Sequence, residues 1–391
     1  MNKILFIVPD FYPNTTGFAN AAVGLINSIK KYGREKYDIH VLTEVELKEG
    51  QPEIEGISVF RYKRSSFDNR FTHYFVEKSK FKYASKIIDR NNYDMIFFET
   101  NTFPIFENLI IKKYKSKVCV RIHSTADTEV AVFGLNANLF QKRMRKKMYA
   151  FMDKVNGVVS TSNYYLDFIK RYYYQNDVYK IWNGRHYGLI FNTCGDGCES
   201  RRLVSDNVFL TMGKLSNNGF IQKGFMDLLN SLEFLNTKGH LPRNFKLVMI
   251  GDGEKYRFVE TYLSTLTIRD SVVLVKQATH AEVFEYINKS KAIILLSRYE
   301  GQSMFITETI SMGKPIIVTN DNGMSNMILD GENGFTVKTG DVISISEAIY
   351  KMILANNETI DEMGNRSKKL YEASFSEKAV FEQFDFYFKT R

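Results

Sequence analysis

The stretch KAIILLSRYEGQSMFITETISMGKPIIVTN, residues 291–320, holds two short apolar runs on either side of a helical segment. KAIILLS (291–297) and PIIVTN (315–320) are β-branched and only six or seven residues long, which suits strands buried on both faces. Between them the chain turns at Gly301, Gln302 and Ser303, and Ser303 is placed to cap the helix that follows. Strand, turn, helix and strand make one parallel β-α-β unit. It places Glu300 at the carboxyl end of the first strand and Glu308 inside the helix.

Outward from this unit the pattern repeats. Towards the N-terminus of the same half lie NVFLTMG (207–213), a helix GFMDLLNSLEFLNTKG, FKLVMIGDG (245–253) and SVVLVK (271–276); GFTVK (334–338) follows. An earlier series runs KILFIVP (3–9), the amphipathic FANAAVGLINSIKKYG (18–33), YDIHVLT (37–43), YDMIFFE (93–99), KVCVRIH (117–123) and VNGVVSTS (155–162), with Gly33 as a helix stop. The sequence therefore predicts two doubly wound, Rossmann-like parallel-sheet α/β domains. The expected boundaries are 1–183 for the first domain, 184–206 for a linker with little periodicity, 207–374 for the second, and 375–391 for a closing helix. Two such sheets are expected to face a central cleft with their strand carboxyl ends, the edge at which open α/β sheets bind ligands.

The 391 residues exceed what one core accommodates, and a 44% hydrophobic composition with 14% aromatics supplies two. ILFIVP is too short for a secretory leader and reads as a first strand, and no run approaches the roughly 18 apolar residues of a membrane span. Three cysteines, Cys119, Cys194 and Cys198, are too few for a disulfide framework; the CGDGC pair lacks partners for a metal site and reads as free thiols. There is no Asp-x-Asp and no His-Glu-x-x-His, so no metal is expected. The net charge of +9 is uneven: residues 1–180 hold 29 Lys and Arg against 19 Asp and Glu, the remainder 24 against 25. The first domain thus faces something anionic, a lipid or a phosphate-bearing molecule. Nucleic acid is disfavoured, because no aromatic interleaving or groove-reading motif accompanies the charge.

The turn at 301–303 exposes unpaired backbone N–H groups at the positive end of a helix dipole, a site suited to a diphosphate. Glu308 can then grip vicinal hydroxyls with its two oxygens, and Glu300 can do the same for a sugar ring. A nucleotide sugar offers those parts in that order. Taken singly, each glutamate reads more readily as an ordinary solvated charge.

EGQSMFITETISMGKPII (300–317) resembles the donor-binding Glu-x7-Glu motif of the retaining glycosyltransferases of family 4, written E-G-F-G-x4-E-A-x-A-x-G-x-P-V, with Gln302 and Ser303 in place of the aromatic and the second glycine. GKLSNNGFIQKG (213–224) is similar to the family's G-R-L-x-x-x-K-G, and VMIGDGEKY, IWNGRHY and DGENGFTV to other family segments. The resemblance implies the GT-B fold and transfer of a hexose from a UDP- or GDP-linked donor, with no further cofactor. It implies donor contacts from Lys214, Lys223, Gly301, Gln302, Ser303, Met304, Phe305 and Glu308, with Glu300, His123 and Lys223 at the reaction centre. YPNTTGFANAAVGLINSI (12–29) is similar to the family's first glycine loop, so Gly17 and Phe18 are implied on the acceptor side. His123 in VRIHS is implied to be a polar contact to the sugar.

On the acceptor side, QKRMRKKMYAFMDKV (141–155) puts Met144, Met148, Phe151, Met152 and Val155 on one helical face with basic residues on the others. Such a helix either lies on an anionic membrane or docks on the first domain's core. The resemblance implies a glycan or lipid-linked acceptor in surface polysaccharide (capsule, O-antigen) assembly, with the protein in the cytoplasm or peripheral at the inner face of the membrane. The rival readings are a nucleotide-sugar epimerase, and a non-catalytic nucleotide-sugar or glycan binding protein on the same scaffold.

Overall fold

A computed structural model describes residues 1–14, 16–47, 53–63, 72–99, 105–123, 147, 150–175, 186–195 and 207–390. The chain divides into two compact units, 1–195 with 377–391, and 196–376.

The first unit is a parallel sheet of seven strands: β1 (Asn2–Ile7), β2 (Tyr37–Thr43), β3 (Ser58–Arg61), β4 (Met95–Glu99), β5 (Val118–Ile122), β6 (Gly157–Ser160) and β7 (His186–Leu189), in the order β3-β2-β1-β4-β5-β6-β7. Strands β4 and β5 are buried along their whole length, as expected of runs covered by helices on both faces. Helices α1 (Gly17–Gly33), α2 (His73–Asn91), α3 (Ile105–Tyr114) and α4 (Asn163–Gln175) make the crossovers. Thr16 caps α1 by accepting from the Ala19 amide at 3.1 Å.

The second unit repeats the scheme with six parallel strands: β8 (Val208–Met212), β9 (Lys246–Ile250), β10 (Val272–Val275), β11 (Ala292–Leu295), β12 (Ile316–Thr319) and β13 (Gly334–Val337), ordered β10-β9-β8-β11-β12-β13. Its helices are α5 (Asn217–Gln222), α6 (Phe225–Thr237), α7 (Tyr256–Ser264), α8 (His280–Lys289), α9 (Met304–Ser311), α10 (Val342–Leu354) and α11 (Asn357–Ser374). Relabelled from its first strand, this is the 3-2-1-4-5-6 order of a dinucleotide-binding sheet. Its core runs from Phe209 and Phe225 through Leu247 and Ile294 to Ile349.

In such a sheet the strand order reverses between the first and fourth strands, and the loops leaving those two strands diverge and leave a crevice. In the second unit these strands are β8 and β11, whose loops carry Lys214, Lys223 and Glu300. In the first they are β1 and β4; the predicted Gly17 and Phe18 follow β1, and β4 ends on Glu99. Topology alone thus brings the predicted residues of each unit to one edge of its own sheet.

Two boundaries differ from the sequence reading, and for the residues described the docked alternative for 141–155 holds. Residues 186–189, expected within a linker, form β7, which pairs with β6 from Gly157↔His186 to Ser160↔Leu189. This edge strand is half-buried and carries no alternation strong enough to mark it. The final helix, α12 (Glu377–Thr390), belongs to the first unit, although it follows the second in sequence. It lies on α1, where Lys31 pairs with Glu377 at 2.9 Å, and Tyr37 at the start of β2 donates to Asp385 at 2.8 Å. Finally, Phe151, Met152 and Val155 of the expected basic helix lie in the first unit's core, each 1% exposed; residues 141–146 and 148–149 fall outside the described residues. So do Cys198 and Asn183–Gly184 of IWNGRHY.

Candidate active site

In the second unit, β11 delivers the chain into a turn braced from three sides. Asn322 donates through Nδ2 to Ser297 O at 2.6 Å and Thr319 Oγ1 at 2.9 Å, tying the ends of β11 and β12 together. The Gly323 amide donates to Glu300 O at 2.8 Å. On the β8 side, the Arg298 amide donates to Gln222 O at 2.7 Å, and Gln222 Nε2 donates to Tyr299 O at 3.0 Å. Gly224, at φ 64°, follows in left-handed backbone, and a Cβ there would strike the Leu296 carbonyl. The 222–224 segment is thereby pressed onto the end of β11.

That closeness carries Lys223 to Glu300: Nζ lies 2.5 Å from Oε2, and each side chain is 17% exposed. Ser297 Oγ lies 3.4 Å from the same oxygen. A half-buried ion pair of this kind fixes both groups in advance of any ligand. Lys214, by contrast, is exposed and makes no ion pair among the described residues.

Past the turn, Ser303 caps α9, its Oγ accepting from the Ile306 amide at 3.4 Å, as the sequence predicted. The Thr307 amide donates to Ser303 O at 2.9 Å. The amides of Met304 and Phe305 donate to no group among the described residues, so two backbone N–H groups remain for an anion at this helix start. Gln302 is turned inward, donating to Thr307 Oγ1 at 3.1 Å, so its side chain stabilises the turn.

Glu308 is not a solvated helix residue. Its side chain is 7% exposed, on a helix buried from Phe305 to Ser311. His280 Nε2, at the first position of α8, lies 2.9 Å from Glu308 Oε1, and this bond raises the imidazole pKa against the opposing effect of burial. Sequence reasoning missed His280, because 28 residues and one strand separate the two.

In the first unit, β4 ends on Glu99 and β5 is followed by His123. Glu99 is fully buried and holds two partners: Arg121 Nη1 at 3.0 Å from Oε1, and His123 Nε2 at 2.7 Å from Oε2. Burial disfavours the charged carboxylate, yet the Arg121 guanidinium and His123 outweigh it and hold the Glu99 pKa below the ordinary range. For His123, burial lowers the pKa, Arg121 adds to that, and Glu99 opposes both. An ionised carboxylate only accepts, so the ring proton of neutral His123 sits on Nε2 and Nδ1 is an acceptor. Phe18 lies against the imidazole, ring centroids 4.8 Å apart. Arg121 also donates to Ile190 O, Phe191 O and Asn192 Oδ1, at 2.6 to 3.2 Å.

In the second unit Lys223 and Glu300 come together beside the start of α9; in the first, Phe18 meets His123, which follows β5. Sequence reasoning singled out His123 but neither Glu99 nor Arg121, two charged residues on strands that otherwise read as apolar. Among the described residues no group of His, Cys, Asp and Glu is arranged to hold a metal ion, and no described helix is long and apolar enough to cross a membrane.

Residues 200–370 match the family model "Glycosyl transferases group 1", and residues 4–161 match "Glycosyl transferase 4-like". A capsular polysaccharide biosynthesis glycosyltransferase, CapM of Staphylococcus aureus, is 29% identical over 188 residues, which is 45% of this chain and 48% of that protein. The match therefore spans about half the length of that curated relative. Among solved structures, sucrose-phosphate synthase from Thermosynechococcus elongatus aligns with TM-score 0.75 at 14% identity, covering 100% of this chain and 99% of the other. Anabaena HepE, solved with UDP and glucose, aligns at 0.70 and 15%, covering 100% of both chains. The fold is that of the GT-B glycosyltransferases, and both halves of the chain match glycosyltransferase models.

Proposed function

We propose that this chain, with a glycosyltransferase-family domain in each half, moves a hexose from a UDP- or GDP-linked donor to a hydroxyl of a growing glycan or lipid-linked acceptor, with retention of anomeric configuration. The observation that carries the reading is the Lys223–Glu300 ion pair held beside the start of α9, whose Met304 and Phe305 amides have no partner among the described residues. These groups suit a sugar diphosphate: Lys223 and the two amides face the phosphates, Glu300 the sugar hydroxyls, and Glu308 the ribose. Lys214 adds an exposed positive charge on the β8 loop.

In the transfer, the bond from the anomeric carbon to the diphosphate oxygen breaks while the acceptor oxygen bonds to that carbon on the same face. The acceptor's proton passes to the departing phosphate oxygen. The protein's part is to neutralise charge on the leaving group and to hold the sugar, so positioning and electrostatics supply the rate. His123, neutral, serves as a polar contact on the sugar side, beside Phe18. The diphosphate's charge needs no metal in this reading, since Lys223, Lys214 and the α9 amides offset it.

The capsular relative supports an acceptor in surface polysaccharide assembly, and the basic first half of the chain supports work against an anionic lipid surface at the cytoplasmic face. The test is donor binding followed by transfer. UDP- and GDP-hexoses are titrated against wild type and Glu308→Ala by calorimetry, and the product anomer is read by NMR. A donor bound by wild type, weakened by Glu308→Ala and transferred with retention is the expected result. An inverted product removes the retaining mechanism, and equal affinity in both proteins removes Glu308 from the site.

A further inference from the structure

The buried carboxylate of Glu308 has an incomplete set of partners. His280 Nε2 binds Oε1, while Oε2 makes no hydrogen bond among the described residues. A carboxylate accepts through both oxygens, so Oε2 keeps its capacity to accept from a ligand hydroxyl. The partner is itself unusual, being an imidazole 62% exposed at the head of α8, with its plane set by an edge contact to Phe284 at 4.7 Å.

We propose that His280 is a positioning residue for the nucleotide, orienting Glu308 so that its second oxygen meets the ribose and, when protonated, cancelling the Glu308 charge that would otherwise face a nucleoside diphosphate. This rests on the reading of Glu308 as the ribose contact. The charged groups around His280 make the assignment specific. Glu308, from α9, is the one whose charge acts on the ring. Glu282, on His280's own helix, is turned back onto the Thr279 cap, accepting from its amide and hydroxyl at 2.7 Å. Lys276, after β10, lies 4.0 Å from Asp252. When the ring is protonated the pair with Glu308 is neutral; when it is not, one negative charge remains near a dianionic or trianionic ligand. Affinity therefore falls as pH rises through the His280 pKa, which the Glu308 bond holds above 6.5.

The experiment titrates UDP and GDP by calorimetry between about pH 6 and 9, using wild type, His280→Gln, His280→Ala, Glu308→Ala and the His280→Ala/Glu308→Ala pair. His280→Ala is expected to weaken binding about tenfold and, in turnover, to raise KM with kcat unchanged. His280→Gln keeps a donor to Glu308 and loses the charge, so it retains much of the affinity at alkaline pH and removes the pH dependence in excess of the ligand's own. In the Glu308→Ala background, His280→Ala has no further effect. If Glu308→Ala weakens binding while both His280 variants keep wild-type affinity and pH profile, the role of His280 is overturned and the donor site stands. If wild type binds neither nucleotide, or Glu308→Ala binds as wild type does, the donor reading fails and takes this one with it. Melting temperatures of the variants separate unfolding from lost affinity.

Discussion

Lys223 Nζ and Glu300 Oε2 stand 2.5 Å apart although the two residues leave different strands, β8 and β11, of one sheet. The pair spans the point where the strand order reverses, so each member loses its partner if the other is removed. We expect Glu300→Ala and Lys223→Ala each to lower kcat by about 10²-fold or more. The double variant should be little worse than either single one, with a coupling of about 1–3 kcal/mol. Additive losses in kcat would show that the two residues act independently.

Replacing Glu99 by glutamine should destabilise the first unit by about 3–5 kcal/mol, because Arg121 is left buried without a counter-charge. The pH dependence has a definite sign. The Glu99 pKa is lowered in the folded state, so its contribution is present above the ordinary glutamate value of about 4.3 and is lost as pH falls towards the folded value. Acid unfolding followed by tyrosine fluorescence should be steeper for wild type than for Glu99→Gln; parallel curves would contradict the assignment.

Glu107 behaves in the opposite way. Both its oxygens are buried with no side-chain hydrogen-bond partner among the described residues, and burial raises its pKa well above the ordinary value despite the opposing charge of Lys80, which pairs with Glu44. Its contribution to stability is full below about pH 4.3 and is lost as pH rises through the folded pKa. Glu107→Gln, which keeps the shape without the charge, should be more stable than wild type in urea, with an advantage that grows with pH. An advantage independent of pH would show that Glu107 does not titrate.

At Gly188, in the middle of β7, a Cβ would run into the Tyr387 ring of α12. Gly188→Ala is expected to cost about 1–3 kcal/mol, and Tyr387→Leu should restore part of the loss. Thermal melts of the single and double variants check this; an unaffected Gly188→Ala would mean that α12 sits less closely on the sheet.

The elements that were legible in the sequence are those whose strands are covered on both faces. AIIL in β11 and IIVT in β12 are uniformly buried, and no other element explains such runs. β3 and β7 were not legible, because SVFR and HYGL are only half-buried and lie at sheet edges, where burial leaves no period to read. The site divides in the same way. Glu300, Ser303 and Glu308 stand out because a strand, a turn and a helix start coincide there. His280, Glu99 and Arg121 acquire meaning only through partners in other elements, 28, 24 and 22 residues away, which no local spacing encodes.

The placement of α12 sets the order in which the protein can be completed on the ribosome. The chain enters the second unit at Asp196 and returns to the first at Glu377, so the second unit is an insertion within the first. All six strands of the second sheet and the helices that cover it precede Glu377 in the chain, so the second unit has its whole core before α12 is added. The first sheet, although made earlier, still lacks the helix that packs on Gly33, Gly157 and Gly188. Until Phe381, Phe384 and Tyr387 are added, the aromatic surface they cover lacks its partner, so the first unit is completed last although it is begun first.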